Sequence, residues 1–230
     1  MVRNGGQILL THNRDENIER PAPESPQWHT INDTSMWFPK DIKGGGTWMA
    51  CSHNSFVCLL NGGFEKHTWA GPYKHSRGLV PLAALNCKNA TAFYQTYNFD
   101  KIEPFTLVFV QDNNVHCIVW DGRQAHISLI TDHKAIWSSS TLYNAKIRDE
   151  RRAIFELFMT QNPNPSASQM IDFHHTAEVG NQEYNLIMKR ENGIQTLSIY
   201  QFAIKKSNVE THYIDLQNKN EYNETFEQMA

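Results

Sequence analysis

The stretch FTLVFVQDNNVHCIVWDGRQAHISLIT, residues 105–131, decides the fold class of this chain. Its three apolar runs are separated by two turn signals, Asp112-Asn113-Asn114 and Asp121-Gly122. Runs of β-branched and aromatic residues joined by such short polar turns are typical of antiparallel hairpins. The stretch therefore predicts a three-stranded antiparallel meander.

Patterns on both sides of this meander give the order of the remaining elements. In chain order they predict a strand (7–12), a proline-punctuated loop (17–46), a hairpin (47–52 and 55–61), two short helices (76–86 and 89–98), the meander, a long amphipathic helix (145–161), a second helix capped by Ser166, and two closing strands around Glu191-Asn192-Gly193. The order contains no βαβ alternation. It predicts an α+β protein with two antiparallel sheets and helices on both outer faces.

The bulk composition narrows the classes of function. The chain has 230 residues, 40% of them hydrophobic, which suits one domain with a substantial core, and the polar residues 219–230 are expected to form a frayed tail. A net charge of −3 argues against nucleic acid and anionic membranes as partners. We find no apolar segment near the roughly 20 residues that a membrane helix needs. Small molecules are the expected ligands.

The four cysteines and the histidines carry no metal signature. Cys51, Cys58, Cys87 and Cys117 lie in apolar surroundings without a CxxC pair, so we expect reduced, mostly buried thiols in a cytoplasmic protein. The histidine spacing fits neither HExxH nor another ligand set. We therefore expect no metal site and no cofactor.

Three short motifs could carry chemistry. Asn13-Arg14-Asp15-Glu16 follows the first predicted strand, where alternate side chains would point into one cleft, although a solvated strand end is the simpler interpretation. Gly44-Gly45-Gly46 precedes Thr47-Trp48 and allows a close backbone approach. Leu60-Asn61-Gly62-Gly63 could donate hydrogen bonds to an oxyanion, or could simply form a turn.

Taken together, "LTHNRDE…RP", "GGTW" and "LLNGG" resemble the NRDE family, whose eukaryotic members include transport and Golgi organisation protein 2. "IWSSSTLYN" and "GIQTLSIYQF" resemble later segments of the same family. The family is similar to N-terminal nucleophile (Ntn) hydrolases of the choloylglycine hydrolase and penicillin acylase branch. The resemblance implies a single Ntn-hydrolase-like domain with a four-layer αββα sandwich that cleaves linear amide bonds.

Ntn chemistry needs a Cys, Ser or Thr at the mature N-terminus, because its own α-amine activates the side chain. This chain begins Met1-Val2-Arg3-Asn4, which offers no nucleophile, so it is expected to be inactive as written and to lack an opening strand of about eight residues. Three explanations stay open. The start is assigned too late, the chain was shortened deliberately, or it is a relative that lost activity and retained binding.

The resemblance also implies residue roles. Asp15 would accept hydrogen bonds from the nucleophile's amine, Asn13 and Arg14 would support it, and Asn61 would be the oxyanion-hole amide. Substrate-binding roles fall on Glu16, Trp48, Gly62, Ser138 and Ser140. Relatives show Ser-Asn where this chain has Ser138-Ser139-Ser140, which leaves a second binding amide unassigned. Glu16 has an alternative role as the ion-pair partner of Arg20.

Two other functions compete with the hydrolase. One is a catalytically inactive ligand-binding or trafficking protein for a hydrophobic small molecule, such as haem, with Trp28, Trp37, Phe38, Trp69 and Tyr73 lining the pocket. The other is a structural partner protein whose unpaired strand edge accepts another strand, including that of a second copy in a homodimer.

Overall fold

A computed structural model describes residues 1–227. In chain order the elements are β1 (Val2–Asn4), β2 (Gln7–Asn17), β3 (Glu24–Ile31), β4 (Thr34–Lys40), β5 (Met49–Ser52), β6 (Ser55–Asn61), α1 (Leu79–Leu85), α2 (Ala90–Thr96), β7 (Phe105–Gln111), β8 (Asn114–Trp120), β9 (Ala125–Leu129), α3 (Ala145–Gln161), α4 (Ala167–Thr176), β10 (Ile194–Ile204), β11 (Asn208–Asp215) and β12 (Asn220–Glu227). The strands form two antiparallel sheets, which confirms the predicted α+β class.

The chain, expected to form a single domain, divides into two compact units. The central unit comprises Pro21–Thr131 and Trp137–Asn144, and the described part of the terminal unit comprises Met1–Arg20, Asp132–Ile136 and residues 145–227. Each unit contains one sheet and two of the described helices.

The central unit is built on a seven-stranded sheet in which β3 to β9 follow one another in sequence order. Its core contains the fully buried aromatic rings of Phe93 on α2 and Phe105 and Phe109 on β7. The meander of β7, β8 and β9 and the β5–β6 hairpin confirm the predictions. Because consecutive strands pair, local turn signals were sufficient to find them.

The segment predicted as a loop over residues 17–46 contains the β3–β4 hairpin, so that prediction was wrong. The hairpin turns at Asn32-Asp33, where φ is 47° and 62°. Pro26 is tolerated because β3 is an edge strand and because the register shifts there, between Glu24 and Gln27.

The terminal unit is built on a five-stranded sheet in the order β1-β2-β10-β11-β12. Leu9 on β2 packs with Phe155 of α3 and Phe173 of α4 in one buried cluster. Ser166 caps α4 through a capping box with Gln169, as the sequence indicated. The predicted long helix is confirmed as α3.

Three boundary predictions in the terminal unit were wrong. β2 does not end before Asn13 but continues to Asn17, because β10 pairs with it along that whole length. Residues 220–227, expected in a frayed tail, form β12 against β11, and residues 228–230 lie outside the described residues. The main closing hairpin is β10–β11, whereas Glu191-Asn192-Gly193 joins β10 only to an isolated bridge at Lys189.

Candidate functional site

The polar quartet lies on β2, whose alternation divides it between two faces. Leu9 packs with residues of α3 and α4, and Asn13 donates to the His174 carbonyl on α4. Because side chains alternate along a strand, the odd-numbered residues, Asp15 among them, face the helices of the terminal unit. Arg14 and Glu16 lie on the opposite face. On β10, Thr196 pairs with Asp15 and Ser198 pairs with Arg14, so Leu197 between them is left without a partner on β2 and forms a β-bulge.

Asp15 is oriented by a threonine that the sequence analysis did not single out. The Thr196 hydroxyl donates to Asp15 Oδ1 over 2.7 Å and accepts from the Met188 N–H over 2.9 Å. The same hydroxyl oxygen lies 3.2 Å from the Leu186 carbonyl. Because a hydroxyl has a single proton, it donates to Asp15, the closer acceptor. The carboxylate of Asp15 therefore has a fixed direction on a half-buried strand.

Asn13 is fully occupied by hydrogen bonds to the polypeptide around it. Its Nδ2 donates to the carbonyls of His174 (3.0 Å) and Leu186 (2.8 Å), while its Oδ1 lies 2.7 Å from His174 Nδ1. Burial holds the pKa of His174 well below its usual value, so the ring is neutral and Nδ1 carries the donated proton. Asn13 thus fixes β2 to the end of α4.

A buried arginine fixes residues 184–188, the segment that forms hydrogen bonds with both Asn13 and Thr196. Arg151 on α3 is 6% exposed, and its Nη1 donates to the carbonyls of Tyr184 and Asn185 over 2.9 Å each. The Leu186 carbonyl comes next in the chain. A connected set of hydrogen bonds therefore leads from α3 through this segment to Asp15.

The other two quartet residues differ in burial. Arg14 is 6% exposed, and burial raises the pKa of Tyr213 to about 12, with the positive charge of Arg14 opposing that rise. Glu16 accepts from the Asn17 N–H and lies 3.5 Å from Arg20 Nε, which confirms the alternative ion-pair role.

Asn61 ends β6 in the central unit and has an available side chain. Its carbonyl accepts from the Ser139 hydroxyl over 2.7 Å. Its half-buried amide makes no hydrogen bond to any residue in the described part of the chain. This amide could therefore donate to a ligand oxygen.

Gly62 and Ser140 are packed so closely that only glycine fits. Gly62 has φ of +91°, and a Cβ there would lie 2.2 Å from Ser140 Oγ. Ser140 is 3% exposed and donates to the Glu65 carbonyl. The Gly62 N–H already donates to the Pro104 carbonyl over 2.9 Å, so it is not available as an oxyanion donor.

The structure thus brings the three serines at 138–140 to the end of β6. Ser139, to which the sequence assigned no role of its own, joins the two through its bond to Asn61, while Ser138 adjoins it in sequence and is half-buried. Trp48 is only 7% exposed and contributes mainly to the sheet core. These contacts all lie within the central unit.

Of the aromatic residues proposed for a ligand pocket, Trp37 and Phe38 are core residues at 8% and 1% exposure. Trp28 packs edge-on against Trp37, and Trp69 is 68% exposed beside Tyr73. Of the five, Tyr73 alone lines the cleft formed by the segments after β6, before β7 and after β8.

The thiols are free and unreactive in character. Burial raises the pKa of Cys58 to about 12 and that of Cys117 to about 11. Residues 1–227 hold no cluster of three His, Cys, Asp or Glu side chains suited to a metal ion. Within the same residues, every helix is too short or too polar to cross a membrane.

Comparison with known proteins supports the resemblance in the sequence. No curated protein matches the chain. A family model described as Transport and Golgi organisation 2 matches residues 3–227, which include both β2 with its polar quartet and the Asn61–Ser140 region. The chain belongs to the Transport and Golgi organisation 2 (NRDE) family.

Proposed function

We propose that this chain is the body of an Ntn-type hydrolase that cleaves the C–N bond of a linear amide on a small acyl substrate. Its nucleophile would stand on a segment preceding Met1. The proposal assigns Asp15 to the α-amine of that nucleophile and Asn61 to the oxyanion.

The observation that carries the proposal is the register of β1 on β2. Val2 faces Leu9, Arg3 faces Ile8 and Asn4 faces Gln7. A segment continuing β1 upstream in this register would reach Arg14 and Asp15 at about its fourth and fifth residues before Met1. An amine there would meet a carboxylate already held by Thr196.

The catalytic logic follows from the groups in place. An α-amine, with an ordinary pKa near 8, takes the proton of the adjacent thiol or hydroxyl as that side chain attacks the amide carbonyl. Asp15 would hold the amine in position. The Asn61 amide would donate to the tetrahedral oxyanion, a contribution of about 3 kcal/mol in hydrolases with such a donor.

The test begins with the DNA upstream of Met1, which should encode an in-frame Cys, Ser or Thr at that spacing. The extended chain should then release p-nitroaniline from an acyl anilide. Asp15→Asn and Asn61→Ala should each lower kcat/KM about 100-fold. A stop codon directly upstream, or turnover that survives both changes, would rule the proposal out.

A matched control lies on the same hairpin. Asn54 is a half-buried turn residue whose Nδ2 donates to Asp112 Oδ1, and Asn54→Ala should leave turnover unchanged. Because the Asn61 side chain makes no hydrogen bond within residues 1–227, Asn61→Ala should alter the free energy of unfolding by less than about 0.5 kcal/mol. A large loss of stability would mean that Asn61 is structural.

The alternative is a ligand-binding protein without hydrolytic activity. It is favoured by the side chain of Asn61, which makes no hydrogen bond within residues 1–227 and is available to a ligand whether or not a nucleophile is present. Saturable binding of haem or a bile-acid-like amide by an extended chain that releases no amine would decide for this alternative.

A further inference from the structure

The last strand of the terminal unit, β12, leaves one edge of the five-stranded sheet exposed. Within residues 1–227, β11 is the only strand that pairs with β12, and the register runs without a shift from Asn208 opposite Glu227 to Asp215 opposite Asn220. The side chains of β12 are exposed along almost its whole length. The strand thus presents a row of backbone N–H and C=O groups to a further strand.

The other three edge strands each carry a feature that hinders pairing. β1 has three residues and is bridged on its outer side by Lys134, β9 has five residues, and β3 contains Pro26 and a register shift. Short strands, prolines and bulges are the usual protections of exposed sheet edges. β12 has eight residues, no proline and a regular register, so its charged side chains are the one protection of this kind that it has.

A second copy of the chain can pair with this edge in only a few registers. Two antiparallel β12 strands related by a twofold axis place residue i opposite residue j and residue j opposite residue i, with both side chains on the same face of the sheet. Because side chains alternate between the two faces along a strand, i and j are both odd or both even. The axis therefore passes beside a single residue of β12.

The three glutamates of β12 exclude two of these registers. An axis beside Glu224 places Glu224 opposite itself and Glu221 opposite Glu227 of the second copy. An axis beside Glu221 places Glu221 opposite itself. Like charges directly opposite each other destabilise an antiparallel pair, so both registers are disfavoured.

With the axis beside Asn223, no two charges of the same sign face each other. Glu221 then lies opposite Thr225 of the second copy. Glu224 lies opposite Tyr222 of the second copy. Each glutamate thus meets an uncharged side chain, and Asn223 meets its own copy across the axis.

The length of pairing separates this register from the others that avoid like charges. An axis beside Asn223 pairs all residues from 220 to 226 with one another. An axis beside Tyr222 or Thr225 also opposes no like charges, but it leaves one end of β12 beyond the end of its partner strand. The Asn223 register is therefore the longest that the charges allow.

We propose that two copies of this chain associate through antiparallel β12 strands with the twofold axis beside Asn223, forming one continuous sheet of ten strands, five from each copy. The glutamates specify the register of this pairing rather than prevent it. Two strands of this length bury less than the roughly 1,200 Å² at which ordinary stable interfaces begin, so the dimer is weak and forms at high micromolar concentrations of the chain.

Cysteine cross-linking tests the position of the axis. Opposed residues of antiparallel strands have Cα atoms about 5 Å apart, within the range of a disulfide, so Asn223→Cys should give a disulfide-linked dimer under mild oxidation. Asn220→Cys is the same exchange on the same strand and should not, because two copies of residue 220 would lie about 20 Å apart. The unaltered chain, in which three of the four cysteines are buried, gives the background. Equal cross-linking of the two variants would refute this register.

Two substitutions of Tyr222 test the charges across the interface. Tyr222→Lys places a cation opposite Glu224 of the second copy, whereas Tyr222→Glu places a second carboxylate there. Both remove the same ring from beside Tyr213, so this loss of packing is common to the two variants. Sedimentation equilibrium should show dimerisation at least about fivefold tighter for Tyr222→Lys than for Tyr222→Glu. Equal dissociation constants would contradict the opposition of Tyr222 and Glu224.

The oligomeric state of the unaltered chain tests the proposal as a whole. Sedimentation equilibrium should show a reversible dimer whose fraction rises with the concentration of the chain. A chain that remains monomeric at about 1 mM would overturn the proposal. These measurements do not depend on amide turnover or on a nucleophile before Met1, so the dimer and the hydrolase can fail separately.

Discussion

Thr196 on β10 donates its hydroxyl proton to Asp15 on β2, over 2.7 Å and across 181 positions of sequence. The same oxygen accepts from the Met188 N–H, so one hydroxyl satisfies a carboxylate and a backbone donor together. The direction of the Asp15 carboxylate therefore depends on a residue far from the polar quartet.

Replacing that hydroxyl should have a measurable cost in stability. Thr196→Val leaves Asp15 and the Met188 N–H each without this partner, and should lower the free energy of unfolding by about 2 kcal/mol. Thr196→Ser retains the hydroxyl and should lose less than about 1 kcal/mol. Urea denaturation measures both, and equal losses would show that the hydroxyl contributes little.

Asn13 should prove to be a structural anchor as well as a member of the quartet. Asn13→Ala removes three hydrogen-bond contacts to His174 and Leu186, and should cost about 3 kcal/mol. The exposed Asn223 on β12 provides the control, since Asn223→Ala should change stability by less than about 0.5 kcal/mol. Similar midpoints for the two variants in urea would contradict the anchoring role.

Stability of the chain should fall in mild acid because of His174. Its folded-state pKa lies well below 6.5, so below about pH 6.5 the unfolded chain binds the proton that the folded chain excludes. The free energy of unfolding should then fall by about 1.4 kcal/mol per pH unit.

Urea titrations at a series of pH values measure this slope. His174→Gln should flatten it, whereas His133→Gln, at an exposed ring, should leave it unchanged. A slope that is the same in all three proteins would assign the acid sensitivity to another group.

Gly62 should tolerate no side chain. Gly62→Ala combines an unfavourable positive φ with a Cβ placed 2.2 Å from Ser140 Oγ, and should cost more than about 2 kcal/mol. Gly45→Ala has a similar φ of +70° but open space around its Cβ, and should cost about 1 kcal/mol. Thermal unfolding compares them, and equal losses would mean that the Ser140 contact relaxes freely.

What the sequence predicted correctly was local. The β7–β9 meander, the Asn89 and Ser166 caps and the amphipathic α3 all depend on residues within a few positions of one another. The β3–β4 hairpin was missed because its prolines outweighed the Asn32-Asp33 turn signal. The length of β2 was missed because its partner, β10, lies about 180 residues away and leaves no mark in the local pattern.

In the candidate site, too, the sequence identified residues in local motifs and missed residues that act through distant partners. Asn61 and Asp15 came from motifs, whereas Thr196 and Ser139 lie in stretches to which the sequence assigned no such role, and they are recognised only by the atoms they contact. A single threonine or serine has no sequence signature when its partner comes from another strand. Such residues become visible only once the strand pairing is known.

The pairing of β2 with β10 also constrains how the chain matures on the ribosome. β2 is synthesised before the whole central unit, whereas β10 is synthesised after it. The central unit, nearly continuous in sequence, can fold during translation, whereas Ile8 and Leu10 must stay shielded until the last strands arrive. A nascent chain stalled before residue 194 would thus expose the apolar side chains of β2 to chaperones that bind unfolded segments.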